Sequence, residues 1–315
     1  MHRVAITGSS GALGSRLIGW FRQRDPAVRI FGTDLREPRG SPPDEFVQGD
    51  IVRPGLVGDL GAFAPDTVIH TAFAFQPLRD DRRMRQVNVE GARNVLQATA
   101  AIRPRRLLVV SSATAYGAWP DNPIPMDETW PLRARTDFRY AADKTEVERL
   151  VGDCAAACPD IAVSVVRPSF IGGPNIDNFV IRMITSMPIL ALLDGADTPL
   201  QFVHEDDVAA AIGEILVSDG RGAYNVSPRD WVPFSAVARA AGRSCWRMPF
   251  WLARAGLAAG WALRLPWHEA PAPFLHFLRH PWVVAPVRLE RELGFRFRHS
   301  SAETLRQWIE GRERR

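Results

Sequence analysis

Two residues four positions apart, Tyr140 and Lys144, form the first candidate site in this sequence. Positions i and i+4 of a helix lie on one face, so a helix here places the phenol beside the ammonium. A neighbouring cation favours the phenolate and lowers the pKa of a tyrosine from about 10 towards neutral pH. Tyr140 is therefore a candidate general acid and base. A surface aromatic ring beside a solvated lysine is the alternative that this spacing leaves open.

Lys144 is the single lysine among the 39 basic residues of the chain. A sequence that uses arginine at every other basic position indicates that this position requires an ammonium. An ammonium is a compact point charge on a flexible stem, whereas a guanidinium is a wide planar fork. The lysine therefore marks a place where one small cation fits beneath a ring or a ribose.

A glycine-rich turn follows the first short apolar run of the sequence and opens a helical pattern. Glycines let the backbone turn tightly and approach a pyrophosphate, whose charge is met by the free N–H groups of the helix N-terminus. Its position between a strand and a helix predicts a dinucleotide site. The cofactor-binding candidates in this turn are Gly8, Ser10, Gly11, Ala12, Leu13 and Gly14.

The second strand ends on Asp34, twenty residues after Gly14, and we assign Asp34 and Leu35 to the cofactor site. A carboxylate there can accept both ribose hydroxyls of NAD and repels the 2′-phosphate of NADP. Arg36 and Arg39 lie close by in the sequence and could pair with such a phosphate instead. Because Asp34 comes first and at the expected spacing, the sequence favours NAD.

Two later turns are expected to border the same cofactor. After the third strand, Asp50 and Ile51 could border the adenine, with Asp50 as its polar contact, although a plain turn is the alternative. After the fourth strand, Thr71, Ala72 and Phe73 should pass beneath the cofactor, in a segment with small residues where the backbone comes close.

The fold expected around these residues is a doubly wound α/β sheet of the Rossmann type. Parallel strands joined by right-handed crossovers follow from the alternation of short β-branched runs with helical patterns. A further helix is expected near 177–187, and residues 201–217 and 222–227 should return to the sheet as strand, helix and strand. The first-half strands are expected near 3–7, 29–33, 67–71, 106–111 and 161–167, and the helices near 12–24, 80–102 and 136–158.

Beyond Pro228 the alternation stops, and proline, tryptophan and phenylalanine become frequent. We therefore predict a nucleotide-binding domain of residues 1–167 and 200–227, and a smaller, mainly helical substrate-binding cap of residues 168–199 and 228–315. The helix near 301–312 should close this cap. Most large apolar side chains of the cap are expected in its core. They are Trp246, Phe250, Trp251, Trp261, Trp267, Phe274, Phe277 and Trp282.

Composition limits the class of protein. The net charge of +4 comes from scattered arginines, which does not indicate nucleic-acid binding. Three cysteines are too few for a disulfide framework, and no site for a metal is expected because Cys154 and Cys158 lack further ligands nearby. The most apolar stretch, 250–265, is too short for a membrane span. It is expected as a packed helix of the cap, and contact with a membrane surface is the alternative. With no signal peptide before the first strand, the expectation is a cytoplasmic protein with a small-molecule substrate and a possible homodimer.

Several motifs in combination resemble the extended short-chain dehydrogenase/reductase superfamily, in its branch of NAD-dependent epimerases and dehydratases. The resemblance runs from the glycine turn to about Ser227. It rests on TGxxGxxG at 7–14, NVxG at 88–91, SSATAYG at 111–117, YxxxK at 140–144, RP at 167–168 and HxDDVA at 204–209.

This resemblance implies roles for the matching residues. Tyr140 is the acid and base, and Lys144 lowers its pKa and holds the nicotinamide ribose. Ser112 hydrogen-bonds the reacting oxygen. Asn88 lies behind the cofactor site, where a proton-relay role and a purely structural role both remain open, and Pro168 borders the cofactor. The expected reaction is hydride transfer at a carbon bearing oxygen, with Tyr140 moving the hydroxyl proton.

Departures from the family pattern bear on the substrate. Dehydratases of this branch carry an acidic pair where this chain has Ala113 and Thr114, so dehydration is not expected. Nucleotide-sugar epimerases usually clamp the diphosphate with an arginine at the position of Leu200, and bidentate recognition is a property of arginine. Thr114 and Asn178 are the candidate substrate contacts. Asn178 resembles the substrate-contacting asparagine of the epimerases.

Three functions are consistent with this pattern. The first is an NAD-dependent alcohol dehydrogenase or ketone reductase that acts on a mainly apolar small molecule, since the cap is rich in large apolar groups. The second is a nucleotide-sugar 4-epimerase, in which Arg279 or Arg288 would replace the missing clamp. The third is a non-catalytic NAD-binding sensor or scaffold, against which the complete set of Ser112, Tyr140 and Lys144 argues.

Overall fold

The computed structural model of the protein describes residues 1–38, 40–53, 55–75, 80–187, 189–265 and 269–314. Its strands are β1 (Arg3–Thr7), β2 (Arg29–Asp34), β3 (Glu45–Gln48), β4 (Thr67–His70), β5 (Arg106–Val110), β6 (Ala162–Pro168), β7 (Phe170–Gly172), β8 (Ile189–Leu193), β9 (Pro199–Leu200), β10 (Phe202–His204), β11 (Gly222–Val226), β12 (Val232–Pro233) and β13 (Ser244–Met248). Its α-helices are α1 (Ala12–Arg24), α2 (Leu56–Phe63), α3 (Asp81–Arg85), α4 (Gly91–Ile102), α5 (Arg139–Ala157), α6 (Phe179–Ser186), α7 (Glu205–Val217), α8 (Phe234–Ala240), α9 (Phe250–Ala262), α10 (His276–Arg279), α11 (Val287–Leu293) and α12 (Ser301–Glu313). A π-helical segment (Gln86–Glu90) joins α3 to α4, and short 3-10 turns occupy Ala113–Tyr116 and Ala272–Leu275.

Seven of these strands form the central parallel sheet, in the order β11-β6-β5-β4-β1-β2-β3. β1 pairs with β2 on one side and with β4 on the other, so the direction of winding reverses at β1. Ligands of such sheets bind beyond the carboxyl ends of the strands at this switch point. The glycine turn after β1 and the segment after β4 both leave the sheet there.

Helices cover both faces of the sheet. On one face, Ile6 of β1 packs with Leu17 of α1 and Ile212 of α7. On the other face, the neighbouring residue Ala5 packs with the cluster that contains Leu60 of α2 and Val95 of α4. Alternate residues of a strand point to opposite faces, so β1 contributes to both cores. The expected doubly wound α/β fold is therefore confirmed.

The return of the chain to the sheet differs in part from expectation. β11 joins the sheet beside β6, as residues 222–227 predict. The strand expected near 201 does not join it, because β11 occupies that edge and β10 instead pairs with β7 in a separate two-stranded sheet. The predicted domain division stays a prediction.

A third apolar cluster gathers α6, α8, α12 and the segment around residues 270–284, and it includes Phe274, Phe277 and Trp282. The expectation that most aromatic side chains of this region are buried is wrong for Trp246 and Trp251, which are exposed because they lie on an outer surface of β13 and α9. Trp267 lies outside the described residues. Among the described helices, none combines the length and apolarity that crossing a bilayer requires.

Candidate active site

The glycine turn packs directly against the segment that follows β4. Gly8 has a φ of +76°, and a Cβ there would lie 2.6 Å from the backbone nitrogen of Ala72. A Cβ on Gly14, in the first turn of α1, would lie 2.2 Å from the carbonyl oxygen of Gly8. The N-cap of α1, Gly11, makes no side-chain capping bond. The first N–H groups of α1 are therefore free to meet an anion.

A cavity of about 520 Å³ opens at this turn. Most of the residues that the sequence assigns to a cofactor border it, which brings together four segments that are distant in the chain. The lining includes Gly8, residues 11–14, residues 34–36, residues 49–51 and residues 71–74.

The rim of this cavity carries Asp34. Its carboxylate accepts hydrogen bonds from the backbone nitrogens of Ser10 and Arg36, each at 3.1 Å. Arg36 lines the same cavity, and its side chain is exposed. Asp34, which would bind the ribose hydroxyls of NAD, and Arg36, which could pair with the 2′-phosphate of NADP, therefore lie side by side. The other basic alternative, Arg39, lies outside the described residues. Asp50, the expected adenine contact, pairs at 2.8 Å with Arg83.

Two of the assigned residues do not line a cavity at this site. The Ser10 hydroxyl donates to the carbonyl of Arg36 at 2.7 Å. Asn88 is fully buried, accepts from the backbone nitrogen of Ala74 at 2.8 Å and donates to Asp143 at 3.2 Å. Asn88 thus ties the segment after β4 to α5 from behind, and its direct contact with a cofactor stays a prediction.

A second cavity of about 630 Å³ continues from the first, and the two share Ala12, Leu13, Arg36, Thr71, Phe73 and Ala74. All three residues assigned to catalysis line it, and so do the two substrate candidates and Pro168. These residues are Ser112, Thr114, Tyr140, Lys144, Pro168 and Asn178.

The side chain of Lys144 is held in one position. It is only 3% exposed, and its ammonium donates to the carbonyl of Val110 at 2.7 Å. The same nitrogen lies 3.5 Å from the centre of the Phe73 ring and 5.8 Å from that of Tyr140. A cation over an aromatic face is favourable. The ammonium therefore contacts both the segment after β4 and the end of β5.

Ser112 lies between the substrate candidate Thr114 and the phenol of Tyr140. The Thr114 hydroxyl donates to Ser112 Oγ at 3.0 Å. The Ser112 side chain also lies close enough to the phenol to lower the pKa of Tyr140 in opposition to burial. The three hydroxyl groups all line the second cavity, where a carbonyl or alcohol oxygen of a ligand can meet them.

The pKa of Tyr140 differs from expectation. Burial raises it above the ordinary value of 10, and the hydrogen bond to Ser112 opposes the rise. The physical reason is the packing of the phenol against Phe73, Phe75 and Phe138, with ring centres 5.2 to 6.0 Å apart. Burial also lowers the pKa of Lys144 to about 7. Desolvation is the largest cause of both shifts in pKa.

A buried ion pair behind the site was not anticipated from the sequence. Arg167 of β6 donates from Nη2 to Glu148 of α5 at 2.6 Å, and from Nη1 to the Tyr116 hydroxyl at 2.7 Å. The hydroxyl of Ser111, next to Ser112, donates to Glu148 as well. Glu148 follows Lys144 by four residues and raises the pKa of Lys144, in opposition to burial. The signal available in the sequence was the spacing, because Glu148 follows Lys144 by four residues, just as Lys144 follows Tyr140.

Glu148→Gln is expected to lower the free energy of unfolding by roughly 3–5 kcal/mol, because it leaves the buried Arg167 guanidinium without its carboxylate. Urea denaturation followed by circular dichroism measures the change. The matched control is Glu146→Gln on the same helix, whose partner Arg149 is exposed. That control should cost at most about 1 kcal/mol. Equal, small effects of the two substitutions would contradict the importance of the Glu148 pair.

The second cavity is also lined by large apolar side chains, which are Phe75, Phe170, Ile171, Ile176 and Trp282. Asn178 lines it too, while its side-chain oxygen caps α6 by accepting from the Val180 nitrogen at 2.9 Å.

The residues expected to replace a diphosphate clamp are engaged elsewhere. Arg279 pairs with Asp194 at 2.6 Å, and Arg288 with Glu292 at 2.8 Å. Leu200 is buried in the apolar core. Among the described residues that line the second cavity, the cations are Arg36 and Lys144.

Comparison with known proteins places this geometry in context. The model of the NAD-dependent epimerase/dehydratase family matches residues 4–227. An uncharacterized protein of Mycobacterium tuberculosis is 26% identical over 319 residues, covering 98% of this chain and 84% of that protein. A 3-diazoavenalumate denitrifying reductase of a Streptomyces species is 29% identical over 245 residues, covering 73% of this chain and 77% of the reductase. The solved structure of MoeE5 in complex with UDP-glucuronic acid and NAD is similar, with a TM-score of 0.78, 21% identity and 99% coverage of both chains.

Proposed function

The chain belongs to the NAD-dependent epimerase/dehydratase family, and we propose that it is an oxidoreductase that transfers a hydride at a secondary alcohol or ketone carbon of a mainly apolar small molecule. Family membership confirms NAD as the expected cofactor. It also leaves epimerases, dehydratases and reductases as possible reaction types, so the reaction and the substrate are argued from the site.

One observation carries the proposal: the second cavity brings the reactive groups together with large apolar side chains. Ser112, Tyr140 and Lys144 line it, and so do Phe170 and Trp282. A mainly apolar ligand gains free energy by covering these apolar side chains, and its one polar group can then meet the hydroxyl groups.

The proposed residue roles follow from these contacts. The nicotinamide ring of NAD, when bound, supplies the hydride chemistry. Tyr140 gives a proton to, or takes one from, the oxygen of the reacting carbon, and Ser112 hydrogen-bonds the same oxygen as charge develops. The glycine turn binds the pyrophosphate, and Asp34 holds the adenine ribose. The ammonium of Lys144 holds the nicotinamide ribose.

The nucleotide-sugar 4-epimerase is the second candidate, because MoeE5 is crystallised with a nucleotide sugar and NAD. The engagement of Arg279 and Arg288 with other partners favours the apolar substrate, since a buried diphosphate needs cations. The Streptomyces relative is a reductase, which also supports net redox chemistry. An NAD-binding sensor without turnover is the third candidate, and a sensor has no use for the set of Ser112, Tyr140 and Lys144 at one cavity.

A ligand panel tests the substrate class. With NAD present, uridine and thymidine diphosphates in millimolar amounts should leave the melting temperature unchanged, whereas at least one member of a panel of hydrophobic ketones and hydroxysteroids should raise it. A ligand at a hundred times its dissociation constant adds about 2.7 kcal/mol of stability, which is a shift of several degrees for a protein of this size.

The control for this panel is a pair of substitutions. Ile176→Asn, in the lining of the second cavity, should abolish the shift caused by the apolar ligand, whereas Val57→Asn, on the exposed side of α2, should leave it unchanged. Strong stabilisation by a nucleoside diphosphate would defeat the apolar-substrate proposal. The 4-epimerase would then be the better account.

A further inference from the structure

The helix α9 is apolar on the side that faces solvent as well as on the side that packs against the protein. Phe250 and Leu257 pack against the apolar core. On the opposite side, Trp251 is 70% exposed, and Leu263, directly after the helix, is 72% exposed. Surface helices ordinarily place charged and polar side chains towards water. This outer side is therefore an apolar surface that no described part of the chain covers.

We call this surface the α9 face and define it by the exposed residues that share the outer side of the helix. It holds no polar side chain. Trp246, which is 59% exposed on the preceding strand β13, lies just before it in the chain. The residues of the α9 face are Trp251, Leu252, Ala255, Gly256, Ala258, Ala259, Ala262 and Leu263.

Cations flank the α9 face. Residues 231–268 contain five arginines and neither aspartate nor glutamate, although the whole chain has a net charge of only +4. The carboxylate of Asp194, which accepts from the Phe250 nitrogen at 2.8 Å at the start of α9, is paired with Arg279. Arg254 is exposed on α9, Arg264 is exposed just after it, and Arg247 is exposed on β13. Within the described parts of the chain, none of these three arginines forms an ion pair. The charge is thus available to an external anion.

We propose that the α9 face binds the surface of an anionic lipid bilayer, with its apolar side chains at the level of the acyl chains and the flanking arginines at the lipid phosphates. Tryptophan, leucine and alanine on one side with arginine at the edges is the composition of helices that lie in the membrane interface. The helix has 13 residues, about 20 Å in length, so it lies along the interface and does not cross it.

A second copy of this chain fits the α9 face less well. A twofold contact through this face would bring the flanking arginines of both copies into one interface. Residues 231–268 offer no carboxylate to neutralise them. An anionic lipid surface supplies the opposite charge, and each arginine near it contributes about a fivefold gain in binding. The proposal extends beyond the reaction, because binding to lipid requires no turnover.

Vesicle flotation of the full, NAD-bound protein tests the proposal. Vesicles of phosphatidylcholine with phosphatidylglycerol should carry the protein, and vesicles of phosphatidylcholine alone should carry at least tenfold less. Trp251→Glu combined with Leu263→Glu should reduce binding to the anionic vesicles at least tenfold. The matched control is Val57→Glu combined with Val217→Glu, which puts the same two charges on exposed positions of α2 and α7 and should bind like wild type.

The arginines have a control of their own. Arg254→Gln and Arg264→Gln should each reduce binding about fivefold, whereas Arg291→Gln, on the exposed side of α11, should not. Melting temperatures within a few degrees of wild type show that these surface variants fold. Failure of the wild type to bind anionic vesicles would overturn the proposal, and so would binding that survives Trp251→Glu with Leu263→Glu. A dimer that these two substitutions dissociate, without vesicle binding, would also overturn it and would assign the face to a second copy.

Discussion

Tyr140→Phe should lower the turnover number at least a hundredfold and leave NAD affinity within a few-fold of the wild-type value. The substitution removes the proton carrier, and general acid and base groups contribute roughly 10² to 10⁴ in rate. The phenyl ring keeps the packing against Phe73, Phe75 and Phe138, and the glycine turn is not touched. Steady-state kinetics with the ligand found in the panel measure the turnover number, and fluorescence titration measures NAD affinity.

Tyr116→Phe is the matched control for this prediction. Tyr116 is also buried, but its hydroxyl contacts Arg167 and Asn225 and does not line the cavity. Loss of that hydroxyl should lower the melting temperature and leave the turnover number within a few-fold of wild type. Residual activity of Tyr140→Phe above roughly a tenth of wild type would rule out Tyr140 as the acid and base.

Lys144→Arg should lower the turnover number and NAD affinity together, each by at least tenfold. The ammonium occupies a confined position between the Val110 carbonyl and the Phe73 ring, where the wider guanidinium does not fit without displacing its neighbours. A ribose held by the ammonium loses its hydrogen bonds at the same time. The same titration and kinetic measurements report both quantities.

Arg149→Lys makes the opposite exchange, arginine to lysine, at an exposed position of the same helix. It should leave both the turnover number and NAD affinity unchanged. Lys144→Met separates size from charge, because it has similar length without the cation. We expect it to reduce NAD affinity as well. A silent Lys144→Arg would show that the single lysine of this chain is an accident of its composition.

Much of the fold could be predicted because its signals are local. The alternation of short β-branched runs with helical patterns predicts where β1 and α1 lie, and the glycines between them identify the turn. Tyr140 and Lys144 could be paired from their spacing alone. Each of these inferences uses residues that are neighbours in the chain.

The remaining features depend on residues that only the tertiary structure brings together. Glu148 and Arg167 meet across α5 and β6, so neither residue alone indicates a buried pair. The pKa of Tyr140 rises because Phe73 and Phe75, from the segment after β4, bury its ring. A composition rich in tryptophan predicts an apolar core equally well as an exposed apolar surface, which is why the exposure of Trp251 was not foreseen.

The most direct test of the proposed reaction is a single-turnover measurement with one equivalent of NADH and the apolar ketone identified in the panel. The proposed oxidoreductase consumes the reduced nicotinamide in step with formation of the alcohol, and Tyr140→Phe does so at least a hundredfold more slowly. An epimerase oxidises and re-reduces the same carbon, so it causes no net change in reduced nicotinamide. Interconversion of a nucleotide sugar without net consumption of NADH, and no reduction of any ketone, would contradict the proposed function.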